Sequence, residues 1–388
     1  METVHRPSVF RGRPSFSWST RLRFGSTRAA LGLALCLLTA LTGANGWAGT
    51  PQVPSYPDHA KLLVVRNVEG DEAPVRSAAD WQVRRAHIIA NLEAVMGPLP
   101  GGERRVPLDL KVLETIDEPT FVRKKISYAC EPGDRVPAWL LIPKAGGAPA
   151  RRPAMLCLHQ TTAIGKDEPT GLGGKPNLHY AKELAERGYV TIAPDYPNFG
   201  EHKVDPYALG YASASMKGIW DHLRAVDLLS SLDEVDPDRI GVIGHSLGGH
   251  NSIFVALFDP RIKAVVSSCG FNAFPSYYEG KITGWSHKGY MPRLKDTYQL
   301  DLGKVPFDFP ELVAALAPRA FFTNSPTRDA NFEVEGVKRC LVAAEPVYRL
   351  LGASDRLVAV YPDAEHDFPK SERTRAYEFL DRNLGAAP

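Results

Sequence analysis

The run Gly244-His245-Ser246-Leu247-Gly248-Gly249 constrains this chain more than any other. It fits the pattern G-x-S-x-G with one further glycine. In that pattern a serine sits on a tight turn from a strand into a helix. Small residues two before and two after it let the two backbones pass closely. A bare five-residue match is common by chance. Here an apolar strand-like segment (residues 239–246) precedes the serine and a helical segment (247–257) follows it, which is the setting the turn requires.

The surrounding pattern agrees. Strand-like runs at 155–159, 189–196, 239–246, 264–269, 321–325 and 357–362 alternate with helical segments, among them 177–187, 216–232 and 247–257. Strand–helix alternation implies a parallel sheet covered on both faces. Upstream, the apolar spacing of residues 79–96 predicts a helix that stops at Gly97-Pro98. Two or three strands follow, over 108–116, 122–129 and 136–142, separated by turn residues as in antiparallel hairpins. Residues 49–80 read as an irregular lead-in and 81–388 as one catalytic domain. Residues 271–309 break the alternation and are rich in aromatics, Gly and Lys. Loops of that length are usually functional or disordered. With Tyr277, Tyr278, Trp285 and Tyr290 in it, the segment is expected to be an ordered insertion roofing one end of the sheet.

The first 48 residues are of another kind. Residues 1–28 carry six arginines and one acid, Glu2, and residues 29–44 are apolar and uncharged. Small residues follow. A basic start, a short apolar run and a small-residue end make a secretory signal peptide, with cleavage expected after Ala48 or Ala44. The apolar run is short for a membrane span; an uncleaved anchor is the alternative. Leu35 before Cys36 argues against a lipid-attachment site. The mature chain is expected to be secreted or periplasmic, with no stable membrane association. Its four cysteines are Cys130, Cys157, Cys269 and Cys340. Cys157 and Cys269 lie in apolar runs and read as core thiols, and spacing establishes no disulfide. No Cys or His cluster has metal-ligand spacing, so neither a metal nor an organic cofactor is expected. A net charge of +2 over 388 residues gives no reason to expect nucleic acid.

With Ser246 as nucleophile, the acid and the histidine should follow in that order. Three histidines come after it: His250, His287 and His366. His250 lies one helical turn on and would point along the helix. His287 lies in the insertion, as a substrate contact or a solvated side chain. His366 follows the last strand and is the candidate base. Asp329, the first carboxylate after the strand at 321–325, is the candidate acid, and Asp355 is its rival. The two oxyanion donors should be the backbone N–H groups of Leu247 and Thr161, with Gln160 beside the latter. Trp285, Tyr290 and Gln160 are candidate substrate contacts. The aromatics either stack on a sugar ring or flat acyl group, or form the insertion's own small core.

These residues resemble the dienelactone-hydrolase and acetyl-xylan-esterase-like branch of the α/β-hydrolases, over roughly 81–384. The resemblance is carried by LHQTTAIGKDEPTGLGG, APDYPNFGEH, DRIGVIGHSLGGH, GWSHKGYMPR, VPFDFPELVAALAPRAFF and SPTRDANF. It implies an α/β-hydrolase fold, a mostly parallel sheet with helices on both faces, and a secreted serine hydrolase. That hydrolase would cleave carboxylic esters, short-chain acyl esters such as acetylated carbohydrates, through an acyl-enzyme. His159-Gln160 stands where a His-Gly pair is common, which leaves the second oxyanion donor less defined. The core also resembles prolyl oligopeptidases, but the residues before it leave no room for a propeller. The local serine motif does not look like that of a glucuronoyl esterase. A serine peptidase with the same triad, and a non-catalytic binding protein on this scaffold, are the rival readings.

Overall fold

The computed structural model describes residues 53–144 and 151–385. The expected signal segment lies outside them. The elements in chain order begin with β1 (Val64–Arg66), β2 (Glu72–Pro74), α1 (Ala78–Met96), β3 (Lys111–Asp117), β4 (Phe121–Glu131), β5 (Asp134–Pro143) and β6 (Arg152–Leu158). There follow α2 (Tyr180–Glu186), β7 (Val190–Pro194), α3 (Ala214–Ser231), β8 (Val235–His245), α4 (Leu247–Phe258) and β9 (Ile262–Ser268). The chain then runs through α5 (Arg293–Asp296), α6 (Phe309–Ala315), β10 (Ala320–Asn324), α7 (Val334–Leu350), β11 (Leu357–Val360) and α8 (Lys370–Leu384).

Nine strands form one sheet in the order β11-β10-β9-β8-β6-β7-β5-β4-β3. The six from β11 to β7 run parallel, and β5, β4 and β3 extend the sheet antiparallel. The parallel strands are buried on both faces, and β6 shows why its sequence is continuously apolar. Ala154, Leu156 and Leu158 join the apolar layer under α1, α3 and α4, whereas Met155 and Cys157 face the layer under α2 and α8. A period of two with apolar residues on both sides is what a central parallel strand demands. From β6 the chain moves outward to β7, then returns through α3 to β8 on the other side of β6. The connections after β6 and β8 therefore diverge, opening a crevice at the C-terminal ends of these neighbouring strands.

Two buried charge networks lock helices to this frame. Arg84 of α1 pairs with Glu311 of α6, and both side chains are fully buried. Serine and aspartate caps start these helices: Ser77 accepts from the Asp80 N–H, and Asp308 from that of Phe309. On α3, the Lys217 ammonium lies among Glu131 (3.1 Å), Asp134 (2.6 Å) and Asp221. Burial opposes the Lys217 charge, but the attraction of Asp221 and Asp134 outweighs it and pushes the ammonium pKa up.

One expectation fails. The lead-in is not irregular throughout, because β1 and β2 form a small antiparallel sheet. Its strands are only three residues long, β1 half-buried and β2 exposed, so no apolar alternation marks them. The turn carries the signal instead: Gly70 has φ 95°, and the Asn67 side chain accepts from the Asp71 N–H at 2.8 Å.

Replacing the cation in the α3 network leaves buried carboxylates facing one another. Lys217→Met should lower the free energy of urea unfolding by about 3–5 kcal/mol. A loss below about 1 kcal/mol would show that the network carries no such load.

Candidate active site

β8 ends at His245 and α4 begins at Leu247, so a single residue makes the turn. That residue is Ser246, with φ 53° and ψ −115°. A serine held at positive φ costs of order 1–3 kcal/mol and persists only where its surroundings over-determine it. Here its N–H donates to Ser268 O at 2.8 Å, at the end of β9. The backbones also leave no room for another course. A Cβ on Gly244 would lie 2.2 Å from Gly248 O, and one on Gly248 would lie 2.0 Å from Leu158 O. The glycines are required because β8, α4 and the end of β6 touch backbone to backbone. Ser246 is half-buried at the mouth of the crevice. Among the described residues the Leu247 N–H has no hydrogen-bond partner, and it lies at the positive end of α4.

The loop after β6 is fixed by a histidine. Nε2 of His159 accepts from the Tyr196 N–H at 3.0 Å, which places the ring proton on Nδ1. Nδ1 then donates to Gln160 O at 2.6 Å. Burial holds the His159 pKa down, in keeping with a neutral ring. A planar trans peptide whose carbonyl is tethered toward His159 must direct its N–H the opposite way, and that N–H belongs to Thr161. Gln160 Nε2 is engaged by Glu168 at 3.0 Å, so its side chain braces the loop. His159 is a site residue that sequence reasoning passed over; the signal was a polar ring at the very end of an apolar strand.

The loops after β10 and β11 bring Asp329 and His366 together. Nδ1 of His366 lies 2.9 Å from Asp329 Oδ2 and 3.0 Å from Oδ1. The loops are zipped by Thr327 N–H to Pro362 O and Arg328 N–H to Ala364 O. Asn324 ties them to β9, donating to Asp367 O and to Ser268 Oγ, each at 2.9 Å. Burial pushes the Asp329 carboxyl pKa up. The hydrogen bond from His366 and those from the Phe332 and Asn331 N–H groups outweigh it and hold the value below the usual range. The His366 side chain is 26% exposed, and its ring stands edge-on to that of His245 at 4.8 Å, directly beside the serine turn. Asp355 is exposed in the turn ahead of β11, at the opposite edge of the sheet.

The insertion is ordered, built from short helical turns and α5. Trp285 is only 2% exposed, packed against Phe274, Tyr277, Phe309, Phe332 and His250. Its ring belongs to the large apolar core that the insertion shares with α4, α6 and the sheet, and is not a substrate contact. Tyr290 is half-buried, and its hydroxyl lies 3.4 Å from Thr161 Oγ1, so this side chain does reach the crevice. His287 is exposed and its ring lies 4.2 Å from that of Tyr290. Tyr277 is buried and Tyr278 exposed. All four cysteines of the described residues are buried and free. Residues without metal-ligand spacing in the sequence do approach one another in space. His245, Cys269 and His366 each bring a donor atom within 4.8 Å of the others.

Over residues 207–352 the chain matches the family model described as "Glucuronyl esterase, fungi". Across 86% of this chain and all of that one, the fold is similar to a glucuronoyl esterase from Solibacter usitatus, with a TM-score of 0.66 and 18% identity. The chain is an α/β-hydrolase by fold. It is also 26% identical to "Putative hydrolase YtaP" of Bacillus subtilis over 314 residues, 77% of this chain and 100% of that protein. To "Carbohydrate esterase MZ0003", from an unknown prokaryotic organism, it is 26% identical over 364 residues, 80% of this chain and 82% of that protein. The residues around the serine did not suggest this likeness, which extends over 207–352 in sequence and otherwise through the fold.

His250 packs edge-on against Trp285 at 4.8 Å and Tyr290 at 5.4 Å, anchoring the insertion to α4. Burial holds its imidazole pKa down to about 3, from 6.5 in a free side chain. Between these values the unfolded chain binds a proton here and the folded one does not. The stability contributed by this site is thus complete above pH 6.5 and is lost as the pH falls toward 3. The urea midpoint should fall across that window. His250→Phe, which keeps a ring and removes the proton site, should flatten the slope; an unchanged slope in a folded variant contradicts the assignment.

Proposed function

We propose that this chain is a serine esterase acting on carboxylic esters of carbohydrates, exported across a membrane. The observation that carries the reading is the 2.9 Å pairing of Asp329 with His366 Nδ1, beside a serine held at φ 53°. In the proposed reaction, Asp329 keeps the His366 proton on Nδ1 and leaves Nε2 to act on Ser246. Ser246 Oγ attacks the ester carbonyl as His366 takes its proton. The oxyanion of the tetrahedral intermediate accepts from the Leu247 and Thr161 N–H groups. His366 returns the proton to the departing alcohol oxygen, and an acyl-enzyme remains. Water, deprotonated by His366, adds to the acyl carbonyl; as the bond to Ser246 Oγ breaks, His366 returns that proton to Oγ and the carboxylic acid leaves. Each step uses groups of the chain alone, with no metal or organic cofactor.

The sugar assignment rests on the relatives, the mechanism on the geometry. The similarity to a family described as glucuronyl esterases favours a second form of the same reading. In an acetylated sugar the carbohydrate is the departing alcohol, and in a uronic acid ester it is the acyl part. The former puts the sugar on the leaving-group side of Ser246 and the latter on the acyl side. Tyr290 and His287 border the crevice in either case. Export rests on the basic, then apolar, then small-residue pattern of the first 48 residues.

Purified protein tested on acetylated xylan, a methyl uronate ester, a p-nitrophenyl acyl series and peptide amides separates these possibilities. Carbohydrate esters should be cleaved, acetyl should exceed octanoyl, and amides should resist. A preference for amides, or for chains of eight carbons and longer, contradicts the reading. On the best ester, Ser246→Ala should lower kcat by about 10⁴–10⁶. Asp329→Asn should cost about 10⁴ while Asp355→Asn costs little. An active Asp329→Asn beside a folded but dead Asp355→Asn would reverse the acid assignment.

A further inference from the structure

Two groups of potential ligands stand out among the described residues: Cys130, Glu131, Asp134 and Asp221; and His245, Cys269 and His366. The first already has its cation, because Lys217 contacts Glu131, Asp134 and Asp221. The second has none. His245 is fully buried. Its Nδ1 is engaged by Ser268 Oγ at 2.9 Å, while its Nε2 has no hydrogen-bond partner among the described residues. Buried imidazole nitrogens are seldom left so. Cys269 follows β9 with φ 49°; its thiol lies 3.4 Å from the Asp367 carbonyl, beside the Asp329 carboxylate, and 3.9 Å from the Ser268 hydroxyl and the Asn324 amide. His366 completes the group and, being partly exposed, opens it to solvent.

We propose that His245, Cys269 and His366 form a binding site for a soft divalent cation of the zinc type. Two imidazoles and a thiolate are the donor set such ions select over magnesium or calcium. A tetrahedral zinc ion with three protein ligands keeps a fourth position for water. Ligand atoms around such an ion lie roughly 3.4–3.8 Å apart. The present spread of up to 4.8 Å closes by side-chain rotation of about an ångström. Binding displaces the Cys269 thiol proton to solvent. The thiolate, with the neighbouring Asp329 carboxylate, balances the two positive charges. A cation here holds His366 by a ring nitrogen, so it withdraws that ring from proton transfer. This consequence rests on the reading of His366 as the base; the site itself does not.

The test uses the full chain, stripped with a chelator and dialysed against zinc or cobalt(II). One equivalent of zinc should bind and be removable by chelator, ester hydrolysis should fall in step, and chelator should restore it. Cobalt(II) should show the near-ultraviolet thiolate charge-transfer band. Cys269→Ser should retain ester hydrolysis, lose the band and weaken zinc by at least the roughly 10–100-fold that a lost supporting contact costs. His245→Asn, whose amide can still bond Ser268, should weaken zinc likewise and serves where Cys269→Ser fails to fold. Absence of the thiolate band, or undiminished zinc affinity in folded Cys269→Ser, overturns the site. A protein that shows the band but hydrolyses no ester keeps the site and loses the proposed function.

Discussion

The structure depends on a backbone contact that admits no side chain. Gly244 of β8 lies against Gly248 of α4, and Gly248 lies against the carbonyl of Leu158 at the end of β6. Because β6 and β8 are neighbours whose connections leave in opposite directions, this contact sits on the floor of the crevice. It forces Ser246 into a conformation that a serine in an ordinary turn would leave, and the hydrogen bond to Ser268 O holds it there. The strain is offset by the surrounding sheet, whose central strands are buried on both faces. A side chain so fixed need not be reorganised when a ligand arrives.

Around that contact the chain assembles its remaining groups from loops that share one edge of the sheet. His159 tethers the peptide that carries the Thr161 N–H, and the first turn of α4 supplies the Leu247 N–H. Parallel neighbours β10 and β11 end side by side, so the loop that carries Asp329 and the loop that carries His366 meet without a long excursion. Asn324 joins both to β9. Burial holds the pKa values of His159 and His250 down. The His366 side chain keeps one side open to solvent. The insertion closes over this edge and is held from below by His250.

Much of this was legible in the sequence, for reasons that differ by element. The parallel strands announced themselves because both faces of each are buried, which leaves uninterrupted apolar runs such as that of β6. The serine turn was legible because the close contact tolerates only glycine. Asp329 and His366 could be placed because strand order fixes which loops share an edge. What stayed hidden is what depends on contacts distant in sequence. The three-residue strands β1, half-buried, and β2, exposed, carry no alternation. The burial of Trp285 follows from six aromatic or imidazole neighbours drawn from segments distant in sequence. The meeting of His245 with Cys269 and His366 joins residues from the ends of three strands. The likeness in fold to a glucuronoyl esterase, at 18% identity, escapes a comparison of local motifs.

The central claim is that Ser246 is an activated nucleophile rather than a strained turn residue. Reaction with a fluorophosphonate followed by peptide mass spectrometry measures this without assuming any substrate. The account predicts one phosphonyl group per chain, on the peptide containing Ser246, and none on Ser267 or Ser268 close by. A folded protein that takes up no label, or takes it up at another serine while Ser246 stays unmodified, would contradict it.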